Sequence, residues 1–163
     1  MTISTQDFRD SMAHFPGAVT LVTVGSGDAR RGITATAVCS VSDTPPSLLV
    51  CVNRQTDTCA EITRTGRFSV QLLDDTADEI AMTFAGARGL DGAAKFTAGD
   101  WDETQGGQPR LSSALVCLCC EVDSHSDSGT HRIFIGRIKE STRANGEALV
   151  YAQSRFRRLQ AAG

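Results

Sequence analysis

Short runs of apolar residues separated by turn residues recur along most of this chain, and they predict a protein built mainly from β-strands. Strands are expected at residues 18–24, 33–41, 47–52, 68–72, 115–122, 131–141 and 149–152. Turns separate these strands more often than helices do. This order favours an antiparallel barrel or sandwich with short helices over a parallel α/β sheet.

Three short helices interrupt the strand pattern. The first covers residues 4–14, where apolar side chains recur at helical spacing. The second and third are expected to begin at Thr58 and Thr76, because each is followed three residues later by Glu, as in a capping box. Residues 86–109 are Gly-rich and irregular, a segment too long to lack a role in a compact domain. Residues 123–130 are expected to be a loop between two long strands.

Composition sets broad limits on the class of protein. The 163 residues fit one domain, residues 1–163, with 40% hydrophobic and 21% charged residues. A formal net charge of −3 gives no basic field for nucleic acid or for an anionic membrane. No apolar run approaches the roughly 18 residues of a membrane span. Because residues 1–10 lack a hydrophobic signal region, we expect a cytoplasmic location.

Six cysteines are present, and most of them lie inside apolar, strand-like runs. Cys117 and Cys120 alone have C-x-x-C spacing, but they lie within one apolar, strand-like run, and the group Cys117, Cys119 and Cys120 lacks the loop-like spacing of a zinc site. We therefore expect reduced thiols in a reducing compartment, and no bound metal.

The stretch from Gly32 to Ser42 carries unusual side chains for a strand that only fills a core. Hydroxyl and methyl groups stand where Val, Ile or Phe would be expected. Small side chains let a flat ligand approach the backbone, and hydroxyls and free amides offer it hydrogen bonds. The stretch is a candidate floor for a ligand, although a half-exposed edge strand rich in Thr and Ala explains the same composition.

A polar loop at residues 53–58 follows the next strand and leads into a helix. The free amides and the dipole of a helix N-terminus suit a phosphate, and Arg54, Thr56 and Thr58 add hydrogen-bond donors. Asp57 counts against an anion, and Thr58 is equally well explained as an N-cap. The loop is a candidate phosphate site that has this structural alternative.

His131 lies at the start of a predicted strand, just after Gly129. A histidine in that position can present its ring to a ligand, although a surface histidine in a hairpin is the more common explanation of this feature alone. No G-x-G-x-x-G opens a helix after a strand, so a nucleotide is not expected to bind in the Rossmann manner. No nucleophile-elbow pattern supports hydrolysis by a Ser-His-Asp triad.

Taken together, these stretches resemble the short-chain flavin reductases of two-component flavin-dependent monooxygenases. The residues that carry the resemblance are GITATAVCSVSDTPPSLLVCVN at 32–53, FSVQLL at 68–73, FAG at 84–86, GTH at 129–131 and LVYAQSRFRRL at 149–159. Gln71 stands where the family usually has Asn, and Asp57 stands where it usually has a small neutral residue. The resemblance implies a flavin-binding split β-barrel of Greek-key order that forms a homodimer.

The resemblance also assigns roles to individual positions. It implies that the flavin ring and ribityl chain contact Thr34, Ala35, Thr36, Ala37, Ser40 and Val41, with Cys51, Val52 and Asn53 on the opposite strand edge. It implies phosphate contacts from Arg54, Thr56, Thr58 and Arg88, and a further flavin contact from Phe84. His131 is the candidate catalytic residue, placed beside the nicotinamide.

The activity implied is that of an NAD(P)H-dependent flavin reductase. The expected cofactors are FMN or FAD together with NADH, with NADPH as the alternative, and the reduced flavin diffuses to a separate monooxygenase component. Two alternatives remain within the same fold. One is a protein that holds its flavin tightly and has no reductase activity, and the other is a reductase of a different acceptor, such as a metal complex.

Overall fold

In a computed structural model, which describes residues 2–162, the chain is mainly β with short helices. The strands are β1 (Gly17–Ala18), β2 (Thr20–Val24), β3 (Arg31–Ala35), β4 (Val38–Asp43), β5 (Pro46–Asn53), β6 (Arg67–Leu72), β7 (Trp101–Glu103), β8 (Pro109–Leu111), β9 (Val116–Ser128), β10 (His131–Arg143), β11 (Leu149–Ala152) and β12 (Arg155–Arg158). The α-helices are α1 (Thr5–Met12), α2 (Asp57–Thr65) and α3 (Asp78–Phe84), and short 3-10 helices occur at Gly27–Ala29 and Gly92–Thr97. None of these helices is long and apolar enough to cross a membrane.

Seven strands form one antiparallel sheet in the order β3-β2-β6-β9-β10-β5-β4. A second sheet has the order β1-β11-β12, and β7 pairs with β8. The predicted mainly-β class with antiparallel strands is therefore confirmed. The large sheet is open, because across residues 2–162 no ladder of hydrogen bonds joins its edge strands β3 and β4.

The chain passes directly from one edge of the large sheet to the other at Thr36 and Ala37. The prediction of a single strand over residues 33–41 is wrong, because β3 ends at Ala35 and β4 begins at Val38. β3 pairs with β2, whereas β4 pairs with β5. A chain that changes from one ladder to another must turn between them, and two residues with small side chains occupy that turn.

Helix α2 begins two residues earlier than its sequence pattern suggests. Thr56, rather than the predicted Thr58, is the N-cap, and its hydroxyl accepts a hydrogen bond of 3.2 Å from the Cys59 N–H. The helix ends at Gly66, whose φ of 67° lies in the left-handed region that glycine adopts readily. Thr58 is instead buried on the first turn.

The other two helices differ in how well their starts are predicted. Ser4 caps α1 as expected, accepting a hydrogen bond of 3.0 Å from the Asp7 N–H. The capping box predicted at Thr76 is wrong, because the Thr76 hydroxyl donates to Asp74 at 2.6 Å. Helix α3 therefore begins at Asp78 without a side-chain cap. Local hydrogen bonds compete for such hydroxyl groups, and a capping pattern cannot decide that competition.

The hairpin of β9 and β10 is longer than the sequence predicts. Residues 123–130 were expected to form a loop, but the ladder continues until Ser128 pairs with His131, and only Gly129 and Thr130 form the turn. The polar side chains of residues 123–128 are mostly exposed, so they lack the apolar alternation that identifies a half-buried strand. The extended hairpin places His131 opposite Asn53 of β5.

The core consists of two apolar clusters. The first packs the large sheet against α2 and includes Val22, Val50, Val52, Ile62, Phe68 and Phe134. The second lies beneath α3 and the segment after it, and includes Leu21, Leu73, Ala81, Phe84, Phe96 and Leu149. Ring stacking continues this second cluster, since Phe84 lies 5.0 Å from Phe96 and 5.5 Å from Trp101 between centroids.

A buried polar network holds the Gly-rich segment to the sheet. The side chain of Gln71 is fully buried, and its amide donates to Thr23 Oγ1 at 2.8 Å and to the Pro109 carbonyl at 3.1 Å. Its carbonyl accepts from the Leu111 N–H at 2.6 Å. Ser69 adds longer contacts of 3.3 Å to Thr23 and 3.4 Å to Pro109. Gln71 thereby fixes β8, and the end of the irregular segment, against β6.

Candidate functional site

A cleft of about 350 Å³ opens over the turn that joins the two edges of the large sheet. Its lining residues are Ile33, Thr34, Ala35, Thr36, Ala37, Cys51, Asn53, Thr56, Phe84, Ala85 and His131. Five of these eleven come from the ends of β3 and β5, two from the turn between β3 and β4, and α3 closes one side. We call this space the ring cleft. Among its lining side chains within residues 2–162, only His131 carries a titratable base.

The floor of the ring cleft is held in place from below. Thr34 donates from its hydroxyl to the Ala81 carbonyl at 2.6 Å, which fastens α3 to β3. Gly32 lets the Phe84 ring lie against β3, because a Cβ at this position would stand 2.7 Å from the ring. The hydroxyl of Thr34 is therefore already bonded to the protein, and the floor is rigid rather than adaptable.

Free backbone amides occur at the turn in the floor. Among the hydrogen bonds of residues 2–162, the N–H groups of Thr36 and Ala37 have no acceptor, while their carbonyls accept from Val38 and Cys51. Both residues are exposed and line the ring cleft. Two unpaired amides beside small side chains suit a flat ligand that has acceptor atoms along one edge.

His131 stands at the mouth of the ring cleft. It is exposed, and it faces Asn53 across the ladder of β10 and β5. Its Nδ1 atom lies 2.8 Å from the Thr130 hydroxyl, which leaves Nε2 free for a ligand. On the opposite strand edge, burial raises the pKa of the Cys51 thiol, so this group is neutral at pH 7.

A second cleft of about 430 Å³ adjoins the first and shares Ile33 and Thr56 with it. We call it the phosphate cleft, after its chemistry. It lies at the N-terminus of α2, and its lining includes Arg31, Thr58 and Lys95. Within residues 2–162, the N–H groups of Asp57 and Thr58 at this terminus have no acceptor, so amides and cations meet here.

Lys95 and Arg31 supply the positive charge of the phosphate cleft. Lys95 donates to the carbonyls of Gly32 at 3.3 Å and Phe84 at 3.2 Å. Burial lowers the pKa of the Lys95 ammonium, and the nearby carboxylates of Asp91 and Asp57 partly offset this effect. Because Asp57 is largely exposed and 3.8 Å from Arg31, its carboxylate can turn into solvent and leave the cations to an anion.

Comparison with known proteins relates this arrangement to one family. Residues 12–160 match the flavin reductase like domain. The chain belongs to this family. It is 35% identical over 161 residues to the FMN reductase (NADH) RutF 1 of Methylorubrum extorquens, covering 98% of this chain and 78% of the relative.

Two further flavin reductases support the assignment. The 4-hydroxyphenylacetate 3-monooxygenase reductase component of Pseudomonas aeruginosa is 36% identical over 156 residues, covering 95% of this chain and 92% of that protein. The NADH:FAD oxidoreductase of Streptomyces globisporus, solved in complex with NAD and FAD fragments, has a TM-score of 0.88 and 30% identity, covering 98% of this chain and 97% of that one. The mainly-β fold of this flavin reductase is therefore shared with solved relatives.

The structure brings most of the predicted site residues of this flavin reductase together. The ring cleft includes Thr34, Ala35, Thr36, Ala37, Cys51, Asn53, Thr56, Phe84 and His131, and the phosphate cleft includes Thr56 and Thr58. Phe84 is nevertheless almost fully buried, so that its ring supports the floor and exposes little surface.

Three of the positions expected near the flavin ring lie elsewhere. Ser40 and Val41 are exposed on β4, beyond the ring cleft, and Val41 is 47% exposed. Val52 has no exposed surface and packs in the first core cluster. Successive side chains of a strand point to opposite faces, so Cys51 and Asn53 face the cleft while Val52 cannot.

The two arginines expected at the phosphate also lie outside both clefts. Arg54 donates to the Gly129 carbonyl at 3.2 Å and approaches Asp127 at 3.3 Å, on the other side of the loop. Arg88 forms a two-pronged ion pair with Glu79, at 2.7 and 3.0 Å. In the structure, the cations of the phosphate cleft are instead Arg31 and Lys95.

Sequence signals for these two cations are weak. Arg31 precedes the candidate floor in the chain, and Lys95 lies in the irregular segment. Neither has a spacing that would relate it to Thr58. Only the fold, which packs the 3-10 helix at Gly92–Thr97 against β3, brings Lys95 to the start of α2.

The residues present fit a flavin mononucleotide unit. The small side chains and free amides of Thr36 and Ala37 suit the ring, and the ring cleft opens into the phosphate cleft across Ile33 and Thr56. The two clefts thus follow the order of ring, ribityl chain and phosphate. The unpaired donors at the start of α2 match a doubly charged phosphate.

Proposed function

We propose that this protein is an NADH:flavin oxidoreductase that reduces FMN or FAD and releases the reduced flavin to a separate monooxygenase component. The observation that carries the proposal is the ring cleft, with its unpaired amides at Thr36 and Ala37, in a chain that belongs to the flavin reductase family. Relatives named as an FMN reductase and as a monooxygenase reductase component support the same activity.

The chemistry of the reaction resides in the two cofactors. A bound flavin would supply the hydride acceptor and a reduced nicotinamide nucleotide the hydride donor, with one further proton drawn from solvent. Thr36 and Ala37 present backbone N–H groups to the edge of the ring, where negative charge develops on reduction. His131, exposed at the mouth of the ring cleft, would hold the nicotinamide and would transfer no proton.

Release of the flavin is supported by the composition of the ring cleft. Its lining side chains within residues 2–162 include no Arg, Lys, Asp or Glu. The ring cleft therefore offers mainly amides, hydroxyls and methyl groups, and no charged side chain that would clamp the ring. The cations Arg31 and Lys95 act only at the phosphate end. Such a site holds the flavin ring through shape complementarity rather than through charge, so the flavin can dissociate.

The finer points of the fold and assembly are part of this proposal. The open sheet whose edges are joined through Thr36 and Ala37 belongs to a split β-barrel of Greek-key order. The protein forms a homodimer in the cytoplasm, consistent with six unpaired cysteines, all in the described residues. Exposed apolar side chains support an interface between copies; they are Ile3, Phe8, Met12, Phe15, Val41 and Tyr151.

Steady-state oxidation of NADH, measured with and without added FMN or FAD, tests the proposed activity. We expect the purified protein to be nearly colourless and to oxidise NADH only when a flavin is added. A protein that purifies yellow and shows no turnover would favour a tight flavin carrier. Turnover with a ferric complex but not with flavin would favour another acceptor.

Replacing His131 with Ala should raise the KM for NADH about tenfold and leave the Kd for FMN within twofold. His131 is exposed at the mouth of the ring cleft and lies outside the apolar clusters, so its loss removes one contact with the nicotinamide, typical of a hydrogen bond worth about 1.4 kcal/mol. Initial rates at saturating FMN give the KM, and flavin fluorescence titration gives the Kd.

His125 offers a matched control for this variant. It is also exposed, lies on the same hairpin and packs against Phe134 rather than lining the ring cleft. His125→Ala should leave both constants unchanged. If His131→Ala weakened FMN binding while the KM for NADH stayed constant, the role given to His131 would be wrong.

A further inference from the structure

A third depression, of about 760 Å³, lies between α2 and the turn of the β9–β10 hairpin. We call it the arginine groove, and its main lining residues are Arg54, Gln55, Cys59, Arg64, Thr130 and Arg132. Neither the hydride transfer nor the flavin phosphate uses these side chains. We propose that the arginine groove binds the adenosine diphosphate part of a dinucleotide, and this proposal rests on the proposed function.

The position of the groove supports this assignment. Gln55 lines both the arginine groove and the phosphate cleft, so the groove begins where the phosphate cleft ends. Thr130 lines the groove, and the next residue, His131, lines the ring cleft. A dinucleotide whose first half occupies either the phosphate cleft or the mouth near His131 would therefore extend its second half into this groove.

The charge of the groove matches a pyrophosphate. Three arginines face two carboxylates, those of Asp127 and Glu61, which leaves one positive charge in excess. Arg132 holds Asp127 at 2.6 and 3.0 Å and also donates to Thr63 at 3.0 Å, so its guanidinium is fixed in orientation. Asp127 thus orders two arginines, since Arg54 lies 3.3 Å from the same carboxylate.

Unused donors remain on these fixed guanidinium groups. Each arginine has five N–H donors; the contacts of Arg132 use one N–H on each of its three nitrogens, which leaves one free N–H on each of the two terminal nitrogens. Arg64 is 68% exposed and reaches Glu61 at 2.7 Å. Ordered arginines with spare N–H groups are the usual partners of phosphate oxygens, because they can bind two oxygens at once.

The remaining walls suit an adenosine rather than an inorganic anion. The groove is larger than either neighbouring cleft, at about 760 Å³ against 430 and 350 Å³. Cys59 forms part of its floor, and burial raises the pKa of this thiol, so the floor is uncharged at pH 7. A neutral surface of small side chains beside a cationic rim accommodates a flat base and its phosphates together.

Two dinucleotides carry this chemistry, FAD and NADH, and the experiment separates them. Arg132→Ala removes the most ordered cation, and Arg64→Glu reverses an exposed charge that makes no packing contact in the core clusters. For a flavin occupant, the Kd for FAD should rise about tenfold while that for FMN stays within twofold. For a nicotinamide occupant, the KM for NADH should rise about tenfold while that for reduced nicotinamide mononucleotide is unchanged, with FMN as acceptor.

Direct titration with ADP keeps this test independent of the proposed activity. ADP should bind the wild-type protein in calorimetry and bind about tenfold more weakly to Arg132→Ala. Arg137→Ala is the control, because Arg137 lies on the same strand, is 52% exposed and pairs with Asp123 away from the groove. If wild-type protein failed to oxidise NADH, the proposed function would fail while the ADP titration still decided the groove.

Two results would overturn the proposal. The first is that neither the ratio of FAD to FMN affinity nor the ratio of the two nicotinamide KM values changes in either variant. The second is that FMN and FAD affinities fall together, which would assign Arg132 and Arg64 to the mononucleotide half. Equal ADP affinity in the wild type and both variants would likewise overturn the proposal.

Discussion

Replacing Ala37 with Leu should weaken FMN binding at least about tenfold and reduce flavin-dependent NADH oxidation in proportion at subsaturating flavin. Ala37 is exposed, lines the ring cleft and carries one of the two unpaired amides. A larger side chain there occupies the space of the ring, and overpacking of this kind costs about 1–3 kcal/mol. Fluorescence titration with FMN measures the effect on binding, and initial rates measure the effect on turnover.

Cys39→Leu is the matched control for Ala37→Leu. Cys39 is exposed, lies two residues further along the same edge and does not line the ring cleft. Both variants should unfold within about 2 °C of the wild type, because exposed substitutions usually change stability by less than 0.5 kcal/mol. Unchanged FMN affinity in Ala37→Leu would remove the turn at Thr36 and Ala37 from the site.

The floor of the site was predictable because its chemistry is local. A run of Thr and Ala in place of larger side chains marks residues 34–37 without any knowledge of the fold. Alternation along β5 is also a local property, and applying it would have excluded Val52, which was expected at the site together with Cys51 and Asn53. The turn between Ala35 and Val38 could not be predicted from neighbouring residues. It arises because β3 pairs with β2 while β4 pairs with β5, at opposite edges of the sheet.

The phosphate end was less predictable because it combines distant segments. Arg54 lies just before α2 in the chain, and this proximity made it a candidate phosphate contact. Its guanidinium instead pairs with Asp127 of the hairpin. Lys95 is far from α2 in the chain, and tertiary packing alone brings it there. Residues 123–128 were misassigned for a similar reason, since exposed polar strands lack the apolar alternation on which strand prediction depends.

The loop that precedes α2 contributes to both the phosphate cleft and the arginine groove. Thr56 caps the helix with its side chain, whereas the neighbouring Gln55 lines both the phosphate cleft and the arginine groove. The backbone N–H of Arg54 donates to the Thr130 carbonyl at 3.0 Å, which ties this loop to the hairpin turn beside His131. One short loop thus connects the phosphate cleft, the mouth of the ring cleft beside His131 and the arginine groove.

Replacing Gln71 with Ala should lower the free energy of unfolding by about 3 kcal/mol. The variant loses three buried hydrogen bonds, of 2.6, 2.8 and 3.1 Å, and leaves the Leu111 N–H and the Thr23 hydroxyl without that partner. Desolvation of unpaired polar groups makes this loss larger than that of an exposed hydrogen bond. Urea denaturation followed by circular dichroism measures the change.

Ser69→Ala separates the specific role of Gln71 from the general cost of altering a buried polar position. Ser69 lies on the same strand, two residues away, and is equally buried, but its contacts to Thr23 and Pro109 are long, at 3.3 and 3.4 Å. Because weak bonds contribute little, Ser69→Ala should cost less than about 1 kcal/mol. Equal losses in the two variants would show that Gln71 does not anchor β8. We expect Gln71→Ala to lose more unfolding free energy than Ser69→Ala, and its residues 99–111 to be proteolysed faster. The reason is that β8 ends the irregular segment, and the side-chain amide of Gln71 holds β8 to the sheet through both its NH2 group and its carbonyl oxygen.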